Sequence, residues 1–196
     1  EESPHVLQNV GYQADLIDLK SIKKDELSQY ETIVVGIRAF NTEDELATKN
    51  KWLFEYAKNG GTVIVQYQTS MNLRTDEIAP FQLALGRTRI TDENATVNFI
   101  DPDMKVLNHP FPISQTNFKN WVQEQGLYYA DAFAKDFQPV FSSQDFDEKP
   151  TKGGLLIGTY GKGYYIYTGL SFFRQLPAGN VGALELFINL IELNND

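Results

Sequence analysis

The stretch TIVVGIRAFNTEDELATKNKWLFEYAKNGGTVIVQY, residues 32–67, contains two β-branched runs that flank a helical pattern. The runs at 32–37 and 62–67 are almost continuously apolar, which is typical of strands buried on both faces of a sheet. Because only a short helix lies between them, the two strands are predicted to be parallel and joined by a right-handed crossover.

The segment between these strands has the marks of one helix. Thr42 followed by Glu45 is the spacing of an N-terminal capping box, and the glycines of Asn59-Gly60-Gly61 are typical of a helix end. Its apolar positions form one face that we expect to be buried: Leu46, Leu53, Phe54 and Ala57.

The end of the chain is also strongly patterned. Residues 154–160 and 164–169 read as two strands joined by Gly161-Lys162-Gly163, which predicts an antiparallel hairpin. Residues 181–193 predict a last helix with these side chains inward: Leu184, Phe187, Ile188 and Ile191.

The remaining elements are shorter. We expect helices at 4–10, 23–29 and 114–125, and strands at 14–19, 96–100 and 137–142. The sum is one α/β domain over residues 1–196, with a mostly parallel sheet, helices on both faces and an antiparallel hairpin at one edge. Since a strand normally precedes the first helix of such a domain, we expect a piece of a longer protein that lacks its first strand.

The composition excludes several classes of function. Lys and Arg number 17 against 26 Asp and Glu, so a formal charge of −9 opposes binding to nucleic acid. The chain has no cysteine, which excludes thiol nucleophiles, disulfides and zinc fingers. No apolar run reaches the roughly 20 residues that a membrane helix needs, so we expect no membrane insertion.

The strand ends carry the best candidates for a binding site, because α/β sheets bind ligands outside the carboxyl ends of their strands. These ends are rich in aromatic and hydrogen-bonding side chains. The candidate ligand-binding residues are Arg38, Asn41, Gln66, Tyr67, Arg89, Trp121, Glu124, Ser171 and Arg174.

The motifs for catalysis and metal binding are missing. The turn at Gln66-Tyr67-Gln68 has no Ser or Cys at its apex, and residues 169–173 begin like a G-x-S-x-G elbow without its last glycine. Asp101, Asp103 and His109 share a loop, but their spacing matches no metal motif. We therefore assign no catalytic residue, no metal and no cofactor.

The sequence resembles the class I glutamine amidotransferase-like fold, a flavodoxin-like α/β/α sandwich that trehalose-utilisation (ThuA-like) proteins share. More narrowly, it resembles the C-terminal domain of PIG-L/LmbE-type deacetylases of Bacteroidetes. The stretches that carry this resemblance are IVVGIRAFN (33–41), NGGTVIVQY (59–67), WVQEQGLY (121–128) and GKGYYIYTGLSFFRQLPAG (161–179).

The resemblance implies that the chain belongs to a larger protein, although the catalytic motifs of the relatives are absent here. The larger relatives look like exported zinc-dependent deacetylases of N-acetylglucosamine-type substrates, which implies a periplasmic or secreted location. Their His-Pro-Asp-Asp-type metal motif is absent here. Catalytic amidotransferases use a Cys with a His-Glu pair, whereas this chain has Gln66-Tyr67 at the corresponding turn, so acyl transfer from glutamine is not expected.

Three hypotheses follow. The first is a non-catalytic accessory domain of a carbohydrate-active protein, which binds a glycan or docks on the deacetylase domain of the same polypeptide. The second is a purely structural or oligomerisation domain, and the third is a hydrolase that uses Glu124 or a loop Asp as its acid or base. They differ in whether the polar residues at the strand ends converge on an open cleft.

Overall fold

The computed structural model describes residues 3–196 as a mixed α/β fold. The α-helices are α1 (Ser3–Asn9), α2 (Ala39–Thr42), α3 (Asp44–Thr48), α4 (Asn50–Lys58), α5 (Phe172–Gln175) and α6 (Val181–Ile191). Short 3-10 helices lie at Lys24–Gln29, Lys105–Leu107 and Gln115–Phe118. The strands are β1 (Thr32–Val35), β2 (Thr62–Val65), β3 (Leu83–Leu85), β4 (Asn98–Phe99), β5 (Ala130–Phe133), β6 (Phe137–Pro139), β7 (Phe141–Ser142), β8 (Leu155–Tyr160) and β9 (Gly163–Thr168).

The main sheet has the strand order β1-β2-β9-β8-β6. The pairs β1–β2 and β2–β9 are parallel, whereas β8 is antiparallel to both of its neighbours, β9 and β6. Four of the five strands therefore point the same way. The predicted parallel crossover and the β8–β9 hairpin are both confirmed, as is the flavodoxin-like class of fold.

The helices cover both faces of this sheet, and β2 contributes to the core on each side. Ile64 packs into the cluster that holds α6, while Val63 and Val65 pack into the cluster that holds α4. All four residues of β2 are buried. This is the physical reason that residues 63–65 of the strand are all apolar instead of alternating.

The predicted strand at residues 14–19 is wrong. The segment has no regular structure, and Leu16 is 91% exposed. Tyr12 and Ala14 pack on the α6 side of the sheet, whereas Ile17 and Leu19 pack on the α4 side. The chain thus crosses from one face to the other, and no strand among residues 3–196 pairs with it.

The predicted capping box of Thr42 and Glu45 is also wrong, because the expected helix is divided into α2, α3 and α4. Thr42 is the last residue of α2, and its hydroxyl donates to the backbone oxygen of Arg38. Glu43 is extended (φ −105°, ψ 103°) and breaks the helical path. The predicted end at residues 59–61 is confirmed, since α4 ends at Lys58.

Residues 114–125 form one short 3-10 helix, Gln115–Phe118, and not the long helix that was predicted. Ser114 and Asn117 make a capping box that favours this turn. Asn120 and Gln123 then adopt left-handed conformations, with φ of 59° and 70°, which a continuous helix does not allow.

The other predictions hold with changed bounds. The helix at 4–10 is α1, the helix at 23–29 is a 3-10 helix, and the strand at 96–100 shrinks to β4. The strand at 137–142 is divided into β6 and β7. In α6, Phe187 is buried as expected, but its neighbours on the core side are Ala183, Leu186 and Leu190, because the buried stripe is rotated from the predicted one.

Within residues 3–196, none of the helices has the length and apolar character that crossing a membrane requires.

Two glycines test the packing of the sheet against α4. A methyl group on Gly163 would overlap the backbone oxygens of Ala57 and Gly61, whereas one on Gly36 meets no atom within 4 Å. We expect Gly163→Ala to lower the free energy of unfolding by about 3 kcal/mol. The matched change Gly36→Ala is expected to alter it by less than about 0.5 kcal/mol. Urea denaturation measures both, and equal effects would contradict this packing.

Candidate functional site

The carboxyl ends of β1, β2 and β9 meet at one edge of the sheet, which we call the rim. Residues 36–41 follow β1, residues 66–74 follow β2 and residues 169–174 follow β9. Parallel pairing brings these segments together, because parallel strands end on the same side.

Two buried amide side chains fix the backbone of the rim. The Gln68 Oε1 accepts from the Phe40 N–H at 2.8 Å, and its Nε2 donates to the backbone oxygens of Gly36 and Gln66 at 3.0 and 2.9 Å. Asn41 donates to the oxygens of Thr69 and Met71 and accepts from the Thr69 N–H. Asn41, a predicted ligand-binding residue, therefore uses its amide to hold the loop after β2.

Arg38 lies in the left-handed region, with φ 57°. Its N–H donates to the backbone oxygen of Tyr67 at 2.9 Å, which ties the turn after β1 to the end of β2. Gln123 and Tyr128, which also lie at the rim, have φ of 70° and 51°. Such conformations in non-glycine residues are unfavourable and tend to occur at functional sites.

Three aromatic rings form what we call the aromatic platform: Tyr67, Tyr128 and Phe173. Tyr67 stacks on Tyr128 with centroids 5.8 Å apart and planes 11° apart, and the Phe173 centroid lies 5.1 Å from that of Tyr67. The guanidinium of Arg174 lies over Phe173, 4.8 Å from the ring centroid. Tyr167 supports the platform from below by donating its hydroxyl to the Tyr128 backbone oxygen at 2.6 Å.

The Tyr67 hydroxyl is a hydrogen-bond donor at neutral pH. Burial raises its pKa above the usual value, although the nearby guanidinium groups of Arg38 and Arg174 oppose this effect. The phenol thus stays protonated at neutral pH and can donate to an oxygen of a ligand.

Glu124 is buried, at 6% exposed, and has both carboxylate oxygens in ion pairs. Arg89 Nε lies 3.1 Å from its Oε2, and Arg174 Nη2 lies 3.2 Å from its Oε1. The Gln123 side-chain oxygen accepts from the other terminal nitrogen of Arg174. Glu124 therefore positions two arginines at the rim.

The backbone beside Glu124 is held by two further buried side chains. Ser171 Oγ donates to the Glu124 backbone oxygen at 2.6 Å. Gln175 accepts from the Val122 N–H at 2.8 Å and donates to the Val122 oxygen at 3.0 Å. Ser171, a predicted binding residue, is fully buried and supports the rim from behind.

The structure separates the predicted site residues into two groups. Arg38, Tyr67, Arg89, Glu124 and Arg174 come together at the rim, as described above. Asn41 is 7% exposed and lines a polar pocket at the rim. The others are buried away from its surface: Gln66, Trp121 and Ser171.

Trp121, a predicted ligand-binding residue, lies in the core and not at the rim. It is 3% exposed, stacks on Phe118 with centroids 5.2 Å apart and donates its indole N–H to the Asn117 oxygen at 2.8 Å. Because the long helix expected at 114–125 does not form, Trp121 packs into the core instead of lining a helix face. Gln66, 4% exposed, likewise turns its side chain inward.

Several residues at the rim were not predicted: Arg74, Gln123, Tyr128 and Phe173. Phe173 adjoins Arg174 in the segment after β9, so its position along the chain was a usable signal. Tyr128 and Gln123 have a left-handed backbone, which no local sequence pattern predicts.

A polar pocket of about 460 Å³ adjoins the platform at the ends of β1 and β2. Its lining residues are Arg38, Asn41, Thr69, Met71, Asn72, Leu73 and Arg74. Arg74 Nε donates to the Asn41 backbone oxygen at 3.0 Å and lies 3.5 Å from the Asp44 carboxylate. Arg38 lines this pocket, and its N–H is bonded to the backbone oxygen of Tyr67, so the pocket lies beside the platform.

In the part of the chain that the structure describes, no three His, Asp or Glu side chains are grouped so as to hold a metal ion.

Comparison with solved structures decides the type of fold. A cytoplasmic protein of Salmonella typhimurium (STM3548) is 17% identical, with a TM-score of 0.66 over 96% of this chain and 84% of that one. A GMP synthase-like protein of Thermoplasma acidophilum is 13% identical, with a TM-score of 0.58 over 97% and 85%. The chain has a flavodoxin-like, class I glutamine amidotransferase-like fold.

The same fold is also similar to part of a much larger enzyme. The β-galactosidase of Bacillus circulans sp. alkalophilus is 11% identical, with a TM-score of 0.55, and the similarity covers 96% of this chain but 26% of that one. Comparisons with protein-family models and with curated proteins gave no match.

The ion pairs of Glu124 allow a first prediction at the rim. Glu124→Gln keeps the shape of the side chain but removes a buried charge that two arginines share. Since Arg89 is half-exposed and Arg174 is a third exposed, we expect a loss of about 1–3 kcal/mol in unfolding free energy. The control Asp44→Asn breaks an exposed pair and is expected to change less than about 0.5 kcal/mol. Equal losses in denaturant melts would contradict the role given to Glu124.

The left-handed backbone of Arg38 allows a second prediction at the rim. Glycine adopts a φ of 57° without strain, whereas alanine does not. We expect Arg38→Gly to be more stable than Arg38→Ala by about 1 kcal/mol in chemical denaturation. A more stable alanine variant would show that residue 38 is not held in this conformation.

Proposed function

We propose that this chain is a non-catalytic accessory domain that binds a carbohydrate at the rim. The observation that carries the proposal is the aromatic platform of Tyr67, Tyr128 and Phe173 with arginine side chains beside it. Tyr67 is 8% exposed and is covered by Tyr128, so the half-buried rings of Tyr128 and Phe173 offer the apolar surface on which the C–H face of a sugar ring can pack.

The polar groups around the platform suit the hydroxyl groups of a sugar. Tyr67 supplies a phenol, and Arg38 and Arg174 supply planar guanidinium donors. The left-handed turns and buried amides fix these groups before a ligand arrives, so little conformational freedom is lost on binding.

Two observations favour binding over catalysis. No cysteine exists for an amidotransferase nucleophile, and the turn after β2 presents Gln66 and Tyr67. Glu124, the carboxylate considered for a hydrolase, has both oxygens in ion pairs with arginines. A carboxylate held in this way is a structural group and not a free acid or base.

The wider context supports an accessory role. A domain of this fold makes up about a quarter of the β-galactosidase described above, which acts on a sugar according to its name. The narrower proposal rests on the sequence resemblance: a PIG-L/LmbE-type N-acetylglucosamine deacetylase as the parent protein, its catalytic domain as a docking partner, and a periplasmic or secreted location.

The first test is a thermal-shift screen with N-acetylglucosamine oligomers and related acetylated sugars. A ligand that binds the folded state alone raises the melting temperature by mass action, by a few degrees at 100 times Kd. Phe173→Ala removes one ring of the platform and is expected to abolish the shift. Phe146→Ala removes a ring that is 90% exposed in a loop outside the platform and is expected to retain it.

Either of two outcomes would overturn carbohydrate binding at the rim. The first is the absence of a shift with every sugar tested, which would favour docking on the catalytic domain. The second is a shift that persists in Phe173→Ala, which would place the sugar elsewhere on the domain.

A further inference from the structure

Three of the arginines in the chain lie in the segments of the rim, and the other two contact residues there. The arginines number five, against twelve lysines, and are Arg38, Arg74, Arg87, Arg89 and Arg174. Arg38 and Arg74 line the polar pocket, and Arg87 Nη2 donates toward the sulfur of Met71, which also lines it. Arg89 and Arg174 hold Glu124 beside the platform. No lysine among the described residues lines the pocket.

The positive charge at the rim exceeds what its ion pairs neutralise. Glu124 pairs with two arginines, and Asp44 pairs with Arg74 at 3.5 Å. Within residues 3–196, Arg38 and Arg87 have no carboxylate within 4.0 Å. This excess stands out on a chain whose formal charge is −9.

The presence of arginine instead of lysine at these positions indicates the kind of ligand that the rim binds. A guanidinium is planar, always charged and carries a fork of N–H donors that matches two oxygens of a carboxylate or sulfate at once. An ammonium group satisfies the same charge without that geometry. Arginine at all five positions therefore suits recognition of an oxyanion with defined geometry better than nonspecific attraction.

We infer that the saccharide carries an anionic group, a carboxylate or a sulfate ester, and that Arg38 and Arg74 bind this group in the polar pocket. The inference rests on the proposed function, because it adds a charged substituent to the sugar on the aromatic platform. Arg38 lies between the two parts, since it lines the pocket and its N–H donates to the backbone oxygen of Tyr67.

The dimensions and polarity of the pocket fit such a substituent. Its volume of about 460 Å³ is within the usual range for small-molecule sites and accommodates one acidic sugar residue. The Thr69 hydroxyl and the Asn72 amide, both among its lining residues, add neutral hydrogen-bonding groups. A long polyanion such as nucleic acid would extend over the acidic remainder of the surface, whereas a short acidic glycan would not.

The test compares ligands that differ in charge alone. Isothermal titration calorimetry would measure trigalacturonate, the same trisaccharide with its carboxylates methyl-esterified, and a galactose oligomer with 6-sulfate groups. We expect at least one anionic ligand to bind ten times more tightly than the ester, with affinity that falls as salt is added. The stronger of the two anionic ligands identifies carboxylate or sulfate as the preferred group.

Matched variants locate the anion. Arg74→Gln is expected to lower the affinity for the anionic ligand about tenfold while leaving the affinity for the ester within twofold. Arg38→Gln is expected to lower the affinity for the anionic ligand more than that for the ester, because Arg38 also donates to the hydroxyl groups of the sugar. The control Lys162→Gln removes one positive charge from the β8–β9 turn, at the opposite edge of the sheet, and is expected to change neither affinity. Denaturant melts of each variant confirm that it is folded.

The outcomes separate this inference from the proposed function. Equal affinity for the ester and both anions would overturn the anionic substituent and leave carbohydrate binding intact. Anion preference that survives in the Arg38→Gln/Arg74→Gln double variant would overturn the pocket as its site. Failure of these ligands and of the acetylated sugars to bind would overturn both proposals together.

Discussion

The rim depends on one buried side chain, that of Gln68. It is fully buried and makes three hydrogen bonds, which join the turn after β1 to the end of β2. The first of these bonds gives a partner to the buried N–H of Phe40, which would otherwise be costly to leave unpaired. The three bonds also set the turn that presents Arg38 on one side and Tyr67 on the other. The site thus rests on a polar constraint inside an otherwise apolar sheet.

Left-handed backbone at non-glycine residues is energetically unfavourable, and its position at the rim indicates why it is retained. Left-handed residues and buried amides are concentrated where the parallel strands end. A domain with a purely structural role gains nothing from strained turns that hold Arg38 exposed at the surface. Positioning of ligand-binding groups is a better explanation, because rigid donors lose less entropy when a ligand is bound.

The sequence predicts the strands of the main sheet better than it predicts the helices or the arrangement of the rim. Residues 63–65 are apolar because β2 is buried on both faces, so local pattern and tertiary packing agree there, whereas β1 alternates between buried and half-buried residues. Trp121 illustrates the opposite case, since its place in the core depends on left-handed turns at Asn120 and Gln123. The segment at 14–19 has a strand-like pattern. A strand also needs a neighbouring strand to pair with, and the local pattern does not show whether one is present.

The central claim is that a saccharide binds on Tyr67, Tyr128 and Phe173, and NMR titration with an N-acetylglucosamine oligomer or trigalacturonate tests it most directly. The account predicts that the ring resonances of these three residues and the Nε–H resonances of Arg38 and Arg174 shift together, with one apparent Kd. Shifts confined to the loop at residues 145–148, which contains Phe146, with the platform resonances unchanged, would contradict it.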